Sequence, residues 1–194
     1  MKNGKHPVKT ILLTAAILLV LTVGFFAARY GIQRYYQSAY PQKYSELVEK
    51  YADQYNVDKN LVYAVIRTES GFNPEAESHK DARGLMQIMD ETYEWAKFRM
   101  KDKRDVTYDD MYDEELNIQY GTYILSLLLE EFKTQDTAVA AYHAGWGNVK
   151  KWLADPEKSQ NGTDIDTIPF QDTDAYVKKV EHTKKIYQAL YGEQ

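Results

Sequence analysis

The 194-residue chain contains no cysteine. Disulfides, thiol nucleophiles and cysteine-ligated zinc are therefore excluded, and the redox compartment is left open. Histidine is scarce as well. His6, His79, His143 and His182 stand far apart, with no His-x-x-x-His pair of the kind that grips a transition metal from one helix face. Basic charge is thin over most of the chain. Residues 1–40 hold five bases and no acid, so the rest has 24 less 5, or 19, bases against 29 acids, a net of −10. An acidic body of this kind argues against nucleic acid as a partner, because phosphate contacts need clustered Lys and Arg. From Pro41 onward no stretch alternates apolar and polar residues as a half-buried strand does, and no hairpin signal occurs. The expectation is an all-α fold without internal repeats.

What the chain does have begins with one long apolar run. Thr10 to Ala28 is uncharged over 19 residues. At about 1.5 Å per residue such a helix crosses a hydrocarbon core of about 30 Å. A secretory signal has a shorter apolar stretch and a small-x-small cleavage site, whereas Phe26 occupies the −3 position of a cut after Ala28. The run reads as an uncleaved single-pass membrane anchor. Residues 1–9, with Lys2, Lys5 and Lys9, would stay cytoplasmic, and the globular part would lie on the other side of the membrane. Residues 29–40 read as a stalk, helical or extended, with Tyr30, Tyr35 and Tyr36 suited to the interface.

The body, residues 41–194, reads as a series of helices. Pro41 is expected to open an amphipathic helix whose inner face carries Tyr44, Leu47, Val48, Tyr51, Ala52 and Tyr55. Asp58 is placed to cap the next helix, which runs through Leu61, Val62, Ala64, Val65 and Ile66 to Glu69 and is closed by Gly71 and Pro74. A polar loop from Phe72 to Arg83 returns to Leu85-Met86-Gln87-Ile88-Met89, and a helix starts at Asp90. Gln87 is the one amide among apolar neighbours, so it must either bond backbone or face a ligand cleft. Lys101 to Glu115 is dense in charge but lacks the Asp-x-Asp-x-Asp-Gly calcium pattern. It reads as a solvated loop whose Asp113 caps a helix reaching about Phe132. Asp136 is the expected cap of a small-residue helix ending at Tyr142 and His143, and Asp172 or Asp174 that of the last helix.

Glu69 stands out on physical grounds. A carboxyl in the last turn of a mostly buried helix meets desolvation and the negative end of the helix dipole, and both disfavour its charged form. Its pKa should rise toward the range a general acid needs near neutral pH.

Three blocks in order then give the chain a family resemblance: Glu69-Ser70-x-Phe72-Asn73-Pro74 with Ala82-x-Gly84-Leu85-Met86-Gln87-Ile88-Met89; Ala140-Ala141-Tyr142-His143-Ala144-Gly145-x-Gly147-x-Val149-x-x-Trp152; and Ile168-Pro169-Phe170 with Tyr176-Val177. Together they make residues 45–190 resemble the soluble-type (SLT), goose-lysozyme-like lytic transglycosylases that cleave bacterial peptidoglycan. The resemblance implies a lysozyme-like helical domain, peptidoglycan glycan strands as substrate and no metal or cofactor. It implies Glu69 as catalytic acid and then base, and Ser70, Gln87 and Met89 as substrate-binding. Tyr142 would hydrogen-bond and orient Glu69, and Asp166 would be an acid of the cleft wall. Three positions depart from the pattern: His143 stands where the family usually has Asn, Asp81 where Gly is common, and Asp90 where Pro is frequent. His143 is expected to contact the sugar.

Overall fold

A computed structural model describes residues 7–192. The expectations for Lys2, Lys5 and the rest of the first six residues lie outside it. The chain divides after Pro41 into two compact units.

The first unit is one helix, α1 (Pro7–Ala39), which takes in both the apolar run and the stalk. Of the two conformations open to residues 29–40, the helical one is adopted up to Ala39. From Val8 to Ala39 the helix is long and apolar enough to cross a membrane, and its apolar side chains are not buried against protein.

The second unit, residues 42–194, is helical among the described residues: α2 (Ser45–Tyr55), α3 (Lys59–Glu69), α4 (Asp90–Met100), a 3₁₀ turn (Tyr108–Tyr112), α5 (Glu114–Glu131), α6 (Gln135–Ala144), α7 (Trp146–Leu153) and α8 (Gln171–Tyr191). Two isolated bridges, Glu77 with Arg83 and Arg83 with Ile88, give the only strand-like pairing among the described residues. The helix expected to open at Pro41 starts at Ser45, because Tyr44 takes a left-handed φ of 58° that a right-handed helix cannot include. Asp58 and Asp113 cap α3 and α5, accepting from Asn60 N and Leu116 N. The other two caps differ. Thr134, not Asp136, accepts from Thr137 N at the start of α6. At α8 the N-cap is Phe170 with no side-chain cap, and Asp172 instead accepts from Thr173 N within the first turn.

Helix α3 is the axis of the domain. Every residue from Asn60 to Ile66 is buried, so its apolar stretch is covered on all sides. It packs against α8 and α2, while α5 packs against α2, α4 and α6, and α6 also meets α8. Leu61, Ile66, Leu85, Met86, Ile118 and Leu125 are fully enclosed, each worth about 1.5–3 kcal/mol of burial. Tyr63 on α3 stacks on Tyr187 of α8, ring centroids 5.1 Å apart, which fixes the register of the pair that carries Glu69 and Tyr176.

Candidate active site

Helix α3 stops where its last carboxyl can matter. Ser70 ends it: its hydroxyl donates to Leu85 O (2.8 Å), lies 3.1 Å from Ile66 O, and accepts from Phe72 N. The chain then turns through Gly71 (φ 59°) and Phe72 (φ 67°), whose buried ring pins the turn. Ser70 is thus a clip between the end of α3 and the returning strand of chain, and its only proton is engaged inside the fold.

The segment from Phe72 to Met89 is held by a few specific contacts. Arg83 and Ile88 exchange backbone hydrogen bonds (2.9 and 3.0 Å). Arg83 also pairs with Asp81 (2.9 Å) and Asp109 (2.7 Å), and its guanidinium lies 4.1 Å above the Tyr108 ring. Asp81 itself takes a left-handed φ of 61°, the conformation that glycine adopts most easily, so the acid at this position serves the loop through Arg83. The central support is Asn117 of α5, which has no exposed surface. It accepts from Met86 N (2.7 Å) and donates to Arg83 O (2.9 Å) and Met111 O (2.7 Å). Gly84, φ 76°, lies so close to Asn117 and Met111 O that an added Cβ would overlap both. The polarity of α5 at this one interior position is the signal sequence reading missed.

Gln87 takes the first of its two open options. Its amide nitrogen donates to Ala76 O (2.9 Å) and Gly84 O (3.0 Å), which holds it in a left-handed φ of 50°. No protein donor is recorded for its Oε1 among the described residues. Met89 is 44% exposed at the N-terminus of α4, an apolar group open at the edge of this segment.

Glu69 is half-buried. Tyr176 of α8 donates its hydroxyl to Glu69 Oε1 at 2.6 Å. The expectation that Tyr142 makes this bond is corrected: Tyr142 donates to Met86 O at 2.8 Å. The reason is positional. Tyr142, in the last turn of α6, reaches the Asn117-held turn, whereas α8 runs alongside α3 and brings Tyr176 to the carboxyl. Tyr176 already stood in the third sequence block, on the buried face of the last helix, but nothing in the sequence assigned it to Glu69. Desolvation dominates the electrostatics and pushes the Glu69 pKa up to about 7, against smaller downward pulls from the Tyr176 hydroxyl and Lys179. Both tyrosines are raised well above their ordinary value by burial and by the neighbouring Glu69, so each remains a neutral donor.

His143, the departure in the second block, stacks on Tyr176 with ring centroids 4.3 Å apart and planes inclined by 22°. Its Nε2 lies 3.9 Å from Asp172 Oδ2. Burial lowers its pKa. Asp166 is exposed and closes its own loop, its carboxylate accepting from Gln160 N (2.8 Å) while its backbone N–H donates to Lys158 O (2.8 Å). Of the expected residues, Glu69, Ser70, Gln87, Tyr142 and His143 are joined through these contacts. Asp166 makes no recorded contact with them.

Comparison with known proteins gives the family and the fold. A membrane-bound lytic murein transglycosylase C from Sodalis glossinidius is 30% identical over 167 residues, covering 75% of this chain and 47% of the relative. A soluble lytic murein transglycosylase from Salmonella typhimurium is 30% identical over 81% of this chain and 25% of its own length. The chain thus spans between a quarter and a half of these curated relatives. The crystal structure of the 70 kDa soluble lytic transglycosylase of Escherichia coli superposes with a TM-score of 0.75 at 29% identity, covering 81% of this chain and 26% of that one. The family model described as Transglycosylase SLT domain matches residues 46–165, and the chain belongs to that family.

Proposed function

We propose that this protein is a membrane-anchored peptidoglycan lytic transglycosylase that cleaves the β-1,4 bond between N-acetylmuramic acid and N-acetylglucosamine, with Glu69 as the sole acid–base catalyst. The observation that carries the reading is a half-buried carboxyl, pushed up to about 7, at the end of α3 and oriented by Tyr176. Near neutral pH a large share of it is protonated and able to donate. Glu69 gives its proton to the glycosidic oxygen, the C1–O bond breaks, and positive charge builds on the muramoyl ring. The Glu69 carboxylate then removes the proton of the muramoyl 6-hydroxyl, whose oxygen bonds to C1 and closes a 1,6-anhydro ring. The proton returns to Glu69, so the cycle balances without water.

A hydrolase that activates water with a separate general base needs a second carboxylate beside the scissile bond, and glycosidases place the pair about 5–9.5 Å apart. Of the four acids that the sequence offers for that task, three are engaged elsewhere: Glu77 accepts from the Tyr112 hydroxyl, Asp81 pairs with Arg83, and Asp166 closes its own loop, while Glu75 is exposed and engages through its backbone N–H, which donates to Asn73 Oδ1. This supports ring closure over hydrolysis. In the same reading Gln87 Oε1 and Met89 contact the glycan, while Ser70 and Tyr142 hold the turn that forms the floor. Asp166 forms part of an outer wall. Helix α1 spans the membrane once, with the catalytic domain on the wall side.

The test is mass spectrometry of purified peptidoglycan digested with the protein. Products ending in 1,6-anhydromuramic acid are expected. Reducing-end products, each heavier by one water, would overturn ring closure and indicate a hydrolase. Wall binding without soluble products would indicate a scaffold.

A further inference from the structure

We propose that His143 is a positioning residue for Glu69: stacked on Tyr176, it holds the phenol that bonds the catalytic carboxyl, and on protonation it sets a cation against that phenol. The inference rests on the acid–base role of Glu69, and three observations carry it. The imidazole and phenol rings lie face to face at 4.3 Å. The same phenol donates to Glu69 Oε1 at 2.6 Å, so the three side chains form one continuous contact from α6 through α8 to α3. The outer edge of the imidazole has an acid within reach, Asp172, 3.9 Å from Nε2.

The neighbouring charges define the titration. From α8 come Asp172, which favours the imidazolium, and Tyr176, which stays neutral. From the loop after α3 comes Lys80, which disfavours the imidazolium. From α3 comes Glu69, reached through the phenol. Burial outweighs Asp172 and lowers the His143 pKa below its ordinary value of 6.5. As pH falls, Glu69 therefore takes its proton first and His143 second. A cation stacked on the phenol strengthens O–H donation to the carboxylate and so opposes the proton on Glu69. By reciprocity, the proton on Glu69 opposes the one on His143. The imidazolium also disfavours the positive charge that builds on the substrate ring. The competent state has Glu69 protonated and His143 neutral.

Three forms of the full-length protein separate the stack from the charge. The wild type is expected to give a bell-shaped pH profile of kcat/KM on peptidoglycan. His143→Phe, which keeps a stacked ring, should hold the wild-type kcat at pH 7 within about twofold and lose the acidic limb. His143→Asn, which loses the stack, should lower kcat about tenfold across the pH range with KM changed by less than about twofold. A change in KM alone would overturn the proposal in favour of a plain sugar contact. Equal loss in the Phe and Asn variants would overturn the stack. A readout without turnover keeps the test independent of the enzymatic reading. The ¹³C-detected titration midpoint of the Glu69 carboxyl should fall by about half a unit in His143→Arg, which keeps a permanent cation against the phenol while Glu69 titrates. An unmoved midpoint overturns the coupling, even in a protein that cleaves wall. A lowered midpoint, with no muropeptide released by the wild type, would sink the enzymatic reading and leave the coupling standing.

Discussion

Among the carboxyls of this domain that accept a hydrogen bond from a tyrosine, Glu69 and Asp102 end at opposite extremes. Glu69 takes the Tyr176 hydroxyl at 2.6 Å and is pushed up to about 7. Asp102 takes the Tyr120 hydroxyl at 2.8 Å and is held well below the ordinary carboxylate range. The phenol is common to both and lowers both, so it does not decide the outcome. The deciding partner is Arg104, whose guanidinium lies 2.5 Å from Asp102 Oδ2 and whose backbone N–H donates to the same carboxylate. Glu69 has no ion pair among the described residues, and burial outweighs the downward pulls of the Tyr176 hydroxyl and Lys179. An orienting tyrosine aims a carboxyl; the presence or absence of a cation decides whether it is an acid or a fixed anion.

The comparison can be broken at either carboxyl. The largest effect is expected from Glu69→Gln, which keeps an acceptor for Tyr176 but removes the proton donor. Turnover should fall by roughly a thousandfold, measured as muropeptide release. The same substitution should stabilise the fold at high pH. Glu69 binds its proton more tightly folded than unfolded, so its penalty is absent below the unfolded value of 4.5 and complete above about 7. The expected gain is about 3 kcal/mol at pH 9 and none at pH 4, read from urea midpoints.

At the other carboxyl, Arg104→Ala strands a buried anion. The Asp102 side chain is 8% exposed but Arg104 is half open to solvent, so the loss should be about 2 kcal/mol at pH 7. Asp102 has a depressed folded pKa, so its contribution is present above its unfolded value of 3.8. The gap between variant and wild type should narrow as pH falls below that value. Tyr176→Phe removes a bond that lowers the Glu69 pKa. It should cut kcat about tenfold and move the alkaline limb of the pH profile upward; an unmoved limb would show that the phenol only packs. The smallest effect is expected from Tyr120→Phe, about 1 kcal/mol of stability with no change in the rate profile.

Much of this was legible in the sequence because it rests on local rules. The period of apolar residues marks the helices, Asp58 and Asp113 sit where caps belong, and Glu69 ends a buried run where its pKa must rise. The misses share another origin. Tyr142 and Tyr176 are both aromatic residues on inner helix faces, and only the packing of α8 along α3 determines which one reaches Glu69. Asn117 looks like one polar residue on a helix until Met86 N, Arg83 O and Met111 O converge on it. Tyr44 is an apolar residue in phase with its helix, yet its left-handed backbone keeps it outside.

Gly121, one turn along α5 from Asn117, has a consequence for anyone who would redesign the turn that Asn117 holds. A methyl group on Gly121 would run into the side chain of Met86, and the carbonyl of Met86 is what Tyr142 grips. The floor is therefore keyed into α5 with no room for even one added carbon, and repacking it would require rebuilding the helix beneath. For the exposed apolar side chains the reverse holds: Met89, Trp146 and Phe170 are open to solvent and not enclosed by the core. Libraries aimed at the proposed glycan contacts should vary exposed positions such as Met89 broadly and leave the packing of Met86 on Gly121 untouched, because sequence freedom here runs outward from the enclosed turn.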